Sequence, residues 1–164
     1  MKILTNPNKF LRQTMKKVEV FDQELDKLTS IFIKTMLEKD GVGLAATQVG
    51  LDMRMITINL DKKEGYPNNL IMPMVLINPE ILEASEKQVE MDEACLSVPN
   101  LVGTVRRPEM VVVTYQDKHA KHGHIEADGW LARVLQHEID HLNGILFIDR
   151  ISDKKLLRKY TPKS

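Results

Sequence analysis

An α+β fold is predicted for this chain: a mostly antiparallel sheet packed around one central helix, with a second helix nearer the N-terminus. Three observations predict it. Apolar residues recur at helical spacing in two stretches, 22–39 and 128–144. Short runs rich in Val, Ile and Thr, bounded by turn residues, occur at 53–60, 74–78, 81–83, 109–116 and 124–127. Finally, several strands come in succession and are followed by a helix, as in folds whose helices and sheet are segregated.

At 164 residues the chain is expected to form one domain spanning 1–164, long enough to bury a core without staples. Neither repeats nor linkers divide it. The 23 basic and 23 acidic residues cancel, which removes the electrostatic case for DNA or a membrane surface as partner. The N-terminus lacks an apolar run of signal-peptide length and no stretch is long enough to cross a membrane, so a cytoplasmic location is expected. One cysteine, Cys95, excludes an internal disulfide.

Residues 1–20 read as an irregular lead-in with a turn at Asn6-Pro7-Asn8. Asp22 then caps a helix whose inward stripe is Leu25, Leu28, Phe32 and Met36, running to about Lys39 and closed by Asp40-Gly41. The segment 41–50, rich in Gly and Ala, reads by itself as a glycine turn with Gln48 in solvent. A strand follows at 53–60, a loop at 61–73, and two short strands at 74–78 and 81–83 broken at Pro79. Residues 87–91 lead into Asp92-Glu93-Ala94-Cys95. The strand at 109–116 contains Val111-Val112-Val113 and returns through the turn at 117–123 to a partner at 124–127.

The second helix starts at Asp128-Gly129 and ends at Gly144. Leu131, Leu135, Ile139 and Leu142 form its apolar stripe, and Trp130, Val134, His137 and His141 share the adjacent face. His137 and His141 stand one turn apart, so both imidazoles can reach a single divalent metal. Glu138, a third of a turn round, is placed to handle the proton of a water rather than to serve as ligand. A catalytic metal needs a third protein ligand. The position that would carry a third histidine in an extended zinc-protease pattern is Phe147, and no glutamate follows Glu138, so the ligand lies upstream. Two candidates remain: the His119/His122/His124 cluster on a Lys-containing turn, where solvation is the usual fate, and Cys95, which is favoured. A thiolate with two imidazoles suits Zn²⁺ or Fe²⁺ alike.

Three segments together, Gly41-Val42-Gly43-Leu44-Ala45-Ala46-Thr47-Gln48, Glu93-Ala94-Cys95-Leu96-Ser97 and Gln136-His137-Glu138-Ile139-Asp140-His141, resemble the peptide deformylases in order and spacing across nearly the whole chain. The resemblance implies that Cys95, His137 and His141 hold the metal, that Glu138 is the general acid/base, and that Gln48 and the Leu96 N–H stabilise an oxyanion. It implies one divalent ion, typically Fe²⁺, replaceable by Zn²⁺, Ni²⁺ or Co²⁺. The implied substrate is the N-formyl-methionyl end of a nascent polypeptide, and a ribosome-associated setting goes with it. Val42 and Gly43 would offer backbone groups to the peptide, Trp130 and Val134 would line a methionine pocket, and Arg133 would lie at its mouth. Two departures stand out. The family usually has glycine where this chain has Ala94, which would be strained if φ there is positive. The basic end, 154–159, reads as a solvated helix end where many bacterial members carry a longer helix. Alternatives within the same chemistry are an amidase or peptidase for another acyl group, and outside it a catalytically silent binder of peptide ends or metal.

Overall fold

The computed structural model describes residues 1–60, 67 and 69–160. Among these residues eight strands and two α-helices follow in the order α1 (Gln23–Leu37), β1 (Gly43–Ala45), β2 (Met55–Ile58), β3 (Met74–Ala84), β4 (Gln88–Cys95), β5 (Val98–Pro108), β6 (Met110–Gln116), β7 (His122–Asp128), α2 (Gly129–Leu142) and β8 (Leu157–Lys159). They build two antiparallel sheets, one of five strands in the order β1-β2-β3-β6-β7 and one of three, β4-β5-β8.

The layers follow from the side-chain alternation of strands. Met55 and Ile77 face α1, where they pack with Leu25, Phe32, Met36 and Leu44. Their neighbours Ile56, Ile58 and Leu76 face the other way, joining Val111, Val113 and Ile125 against Leu131, Leu135, Ile139 and Leu142 of α2. The five-stranded sheet is therefore buried on both faces over β2, and α2 has its opposite flank turned to the small sheet. There a third cluster, Leu11, Val98, Val105, Leu146 and Phe147, fills the space around the helix end.

Both helices start where expected. Leu25 N–H donates to Asp22 Oδ1 at 2.9 Å, an N-cap bond that satisfies one of the first-turn donors. At α2 Asp128 holds the N-cap position with extended backbone, but its side chain makes no capping bond. Helix α1 ends at Leu37, two residues early, and Asp40 rather than Gly41 takes the left-handed turn, φ 51°. Gly144 closes α2 at φ 73°, and a Cβ there would lie 2.5 Å from the Arg12 carbonyl oxygen. That close approach is how the irregular N-terminal segment straps the helix end: Met15 N–H donates to Leu142 O, and Thr14 bridges Asn143.

The structure corrects three expectations and adds one strand. Segment 41–50 is not only a turn: Gly43–Ala45 pairs with β2 as the sheet's edge strand. The runs at 74–78 and 81–83 are one strand, bent by register shifts between Ile77 and Glu80 and again before Glu83. Asn78, at φ 51°, absorbs the first bend, and its amide bridges Val18 and Gln116. Residues 98–108, unassigned from sequence, form β5, the centre of the small sheet. The basic end is a short 3-10 turn, Lys154–Leu156, that runs into a strand, with Leu157, Arg158 and Lys159 paired to Gly103, Val102 and Leu101. Of the loop expected at 61–73, residues 61–66 and 68 lie outside the described residues.

Candidate metal centre

Helix α2 presents His137 and His141 toward the small sheet, with Glu138 beside them against the edge strand β1. His137 and His141 stack edge to face with centroids 5.0 Å apart, as one helical turn dictates. The His137 ring also stacks on Phe147 at 6.2 Å. Facing them, β4 ends at a bulge where Ala94 pairs with Val102 but Cys95 pairs with Val98. This irregularity turns the Cys95 thiol toward the helix, its Sγ 3.3 Å from His141 Nε2. Donor atoms of Cys95, His137 and His141 all lie within 4.8 Å of one another, the sole such group of three among the described residues. The hairpin histidines His119, His122 and His124 are exposed and form no such cluster.

Gln48 is 2 % exposed, so the solvated reading fails. Its side chain is oriented at both ends: Oε1 accepts from Ala45 N–H at 2.8 Å, and Nε2 donates to Ser97 Oγ at 3.1 Å and Cys95 Sγ at 3.5 Å. The backbone of the N-terminal segment holds both loops, Leu4 N–H donating to Gln48 O and Asn6 N–H to Ser97 O. Thr47 ties the same loop to α2 by donating to the His141 carbonyl.

Glu138 is buried, and its Oε2 has no hydrogen-bond partner among the described residues. Its Oε1 lies where a side chain on Gly43 would begin: a Cβ added there would come within 2.3 Å. The glycine of the edge strand thus makes room for the carboxylate. Burial pushes Glu138 up to about 7, only partly opposed by the positive His137. Burial also pushes His141 well below its ordinary value, with the charge on His137 acting the same way. For His137 burial acts downward too, but contacts with Cys95 and Glu93 outweigh it and hold the imidazole well above its usual range.

The largest feature hidden from sequence is a buried ion network behind the ligands. Glu93 accepts from Arg107 Nε and Nη2 (2.6 and 3.0 Å), Arg133 Nη1 (2.9 Å) and His137 Nδ1 (2.8 Å). Arg107 continues to Asp140 at 2.7 Å, which in turn takes both arms of Arg150. Burial works against the Glu93 carboxylate, yet bonds from Arg107 and His137 win and hold it far below the usual range. With Nδ1 donating to Glu93, Nε2 of His137 is left for a metal, the familiar carboxylate–histidine arrangement. The sequence held only a partial signal: Glu93 stands two residues before Cys95, and residues i and i+2 share a face on a regular strand, but the bulge after Ala94 interrupts that alternation. Asp140 likewise stands one turn after His137.

Arg133 is not at a pocket mouth. It is 2 % exposed, with its guanidinium on Glu93 and the carbonyls of Val105 and Val89, so only the rest of the side chain is left to line the cavity. Ala94 lies in regular strand pairing without positive φ, so alanine is unstrained there.

A cavity of about 570 Å³ opens on this centre, within the range of roughly 300–1,000 Å³ usual for small-ligand sites. Val42, Gly43, Leu96, Trp130 and Val134 line it beside the ligand and acid/base candidates. Does a metal fit? One soft thiolate donor and two imidazoles, beside the unpartnered buried Glu138 oxygen, together match a single ion.

An antiparallel α+β fold carrying a Cys/His/His group that could hold one metal ion, with a buried glutamate beside it, fits the class of single-ion metallohydrolases. The family model for polypeptide deformylase matches residues 1–156. The chain is 48 % identical to a peptide deformylase of Brucella suis, over 91 % of this chain and 83 % of that one. It is 45 % identical to that of Wolinella succinogenes, over 92 % and 87 %. Among solved structures, the peptide deformylase of Ehrlichia chaffeensis in complex with actinonin superposes with a TM-score of 0.87 at 41 % identity, covering 94 % of this chain and 90 % of that one. A probable peptide deformylase from Synechococcus phage S-SSM7 gives 0.83 at 41 %, covering 92 % and 99 %. The chain belongs to the peptide deformylase family.

Proposed function

We propose that the chain, acting as one domain, hydrolyses the formamide at N-formyl-methionyl ends of newly made polypeptides, yielding formate and a free amino terminus. The observation that carries this reading is the convergence of Cys95, His137 and His141 beside the unpartnered carboxylate of Glu138.

Cys95, His137 and His141 would hold one divalent ion, Fe²⁺ by preference, with Zn²⁺, Ni²⁺ or Co²⁺ able to replace it. Such an ion supplies Lewis acidity, making water a stronger acid and the formyl carbon a better electrophile. Glu138 takes a proton from the attacking water as the oxygen bonds to the formyl carbon. Its burial keeps the carboxyl near neutrality, so it can both accept that proton and later deliver it to the methionine nitrogen when the C–N bond breaks. Gln48 Nε2, aimed by Ser97 and Ala45, and the Leu96 N–H donate to the oxygen on which charge develops. Cys95 acts only as ligand.

Gly43 opens the edge strand of the five-stranded sheet and Val42 directly precedes it, so an extended peptide can add there as a further strand. Trp130 and Val134 receive the methionine side chain, and the substrate class puts the enzyme in the cytoplasm, near the ribosome. Among the described residues no helix is long and apolar enough to cross a membrane.

The deciding experiment is formate release from a formyl-Met peptide by anaerobically prepared, Fe²⁺- or Ni²⁺-loaded protein, with acetyl-Met peptide and Glu138→Ala alongside. Turnover that requires both the formyl group and Glu138 is expected. Absence of turnover from folded, loaded protein would overturn the reading. In air the Fe²⁺ form should lose activity faster than the Ni²⁺ form, because the thiolate ligand and the ion are both oxidisable.

A further inference from the structure

The cavity has an inner and an outer end. Gln48 and Glu138 at the inner end are almost fully buried, whereas Asn100, Asp40 and Tyr160 at the outer end are exposed. Lys39, Val42 and Pro99 are exposed on the same rim, so among the described residues Tyr160 is the one aromatic residue on the exposed rim that a substrate anchored inside by its formyl group has to leave by. Tyr160 comes from an unexpected source, the residue after β8, and lies beyond the stretch matched by the family model.

The backbone of Tyr160 is held in the small sheet. Its N–H donates to the Asn100 carbonyl at 2.9 Å, continuing the pairing of Lys159 with Leu101. Arg158 ties the same strand to Asp92 at 2.6 Å. Yet its side chain is 46 % exposed and borders the cavity instead of packing into the apolar cluster beneath the small sheet. A large aromatic held by its backbone and left uncovered at the exit of a peptide site offers contact area at little cost in conformational entropy, since a tyrosine has two side-chain torsions to restrict.

We infer that Tyr160 is a specificity-determining residue for this enzyme, forming the wall against which the residues after the formyl-methionine of the substrate pack. The inference rests on the deformylase reading and adds to it a subsite for the second and later residues, with apolar or aromatic side chains favoured. The C-terminal strand thereby acquires a purpose: β8 carries Tyr160 to the cavity rim.

The test is a length series, formyl-Met-amide, formyl-Met-Leu and formyl-Met-Leu-Phe-Lys, assayed with wild type, Tyr160→Ala and Tyr160→Phe. For Tyr160→Ala we expect KM on the longest peptide to rise about three- to tenfold, the size of one lost aromatic contact, with kcat unchanged and formyl-Met-amide unaffected. Tyr160→Phe should behave as wild type. The same series is read as Kd on the Glu138→Ala protein with and without Tyr160→Ala, where the long peptide alone should lose affinity. Equal effects at every length, or none, would overturn the inference. If wild type releases no formate from any peptide, the deformylase reading fails, and the length dependence of Kd alone decides on Tyr160.

Discussion

The two flanks of α2 are made of the same fourteen residues and hold opposite contents. One flank, Leu131, Leu135, Ile139 and Leu142, is buried against the five-stranded sheet by apolar contact alone. The other buries Arg133, Asp140 and His141, with His137 alongside, against the small sheet, and Glu138 against the edge strand β1. Apolar burial tolerates many arrangements of similar volume. Buried charge tolerates few, because each carboxylate and guanidinium must find its partner or lose several kcal/mol. One flank holds the helix in place; the other aims its side chains, and the residue left without a partner, Glu138, is the proposed acid/base.

This contrast can be broken by mutation. The largest effect is expected from Glu138→Ala: kcat should fall by about 10²–10⁴ while the melting temperature stays level or rises, since an unpartnered buried carboxylate has gone. A drop in both would mean that Glu138 belongs to the structural network after all. Glu93→Ala should cost about 3–5 kcal/mol of stability by leaving Arg133 and His137 facing no carboxylate and Arg107 with Asp140 alone. It should also weaken metal binding about 10–100-fold through His137, to be read by chelator competition.

Because Glu93 is depressed in the fold, its contribution is fully present above the ordinary carboxyl value and is lost as pH falls through and below it. A denaturant series from pH 7 to pH 3 should therefore be steeper for wild type than for Glu93→Gln. On the opposite flank, Leu135→Ala should cost about 2–5 kcal/mol with kcat at low temperature unchanged. A stability loss confined to one flank and an activity loss confined to the other would make the division sharp. The smallest effect on folding is expected from Gly43→Ala, which displaces the Glu138 carboxylate. A shift of that kind lowers kcat about a hundredfold, and shortening the acid in Gly43→Ala/Glu138→Asp should recover part of it; if the double variant is no better, crowding of Glu138 is not the cause.

How much of this was legible in the chain depended on whether a signal is local. Helical spacing placed His137, Glu138 and His141 together, and Asp22, Gly144 and the Val111-Val112-Val113 run marked their elements. Strand β5 escaped because Pro99, Gly103 and Pro108 punctuate it and Arg106-Arg107 looks like a solvated pair, although Arg107 points inward to Glu93 and Asp140. Strand β1 escaped because Gly and Ala have poor strand propensity; it is a strand because β2 lies beside it. The basic β8 has no pattern of its own, only a partner in β5.

By itself, then, the sequence determined the two helices, the α+β class and the pair of imidazoles one turn apart, all consequences of repeats within a few residues. Tertiary structure alone decided that Gln48 is buried, that Arg133 is locked behind the centre, and that Glu93 meets His137 across 44 positions. It also decided that Tyr160 reaches the cavity. Burial and partner choice depend on which distant backbone arrives alongside, and no short-range pattern encodes that.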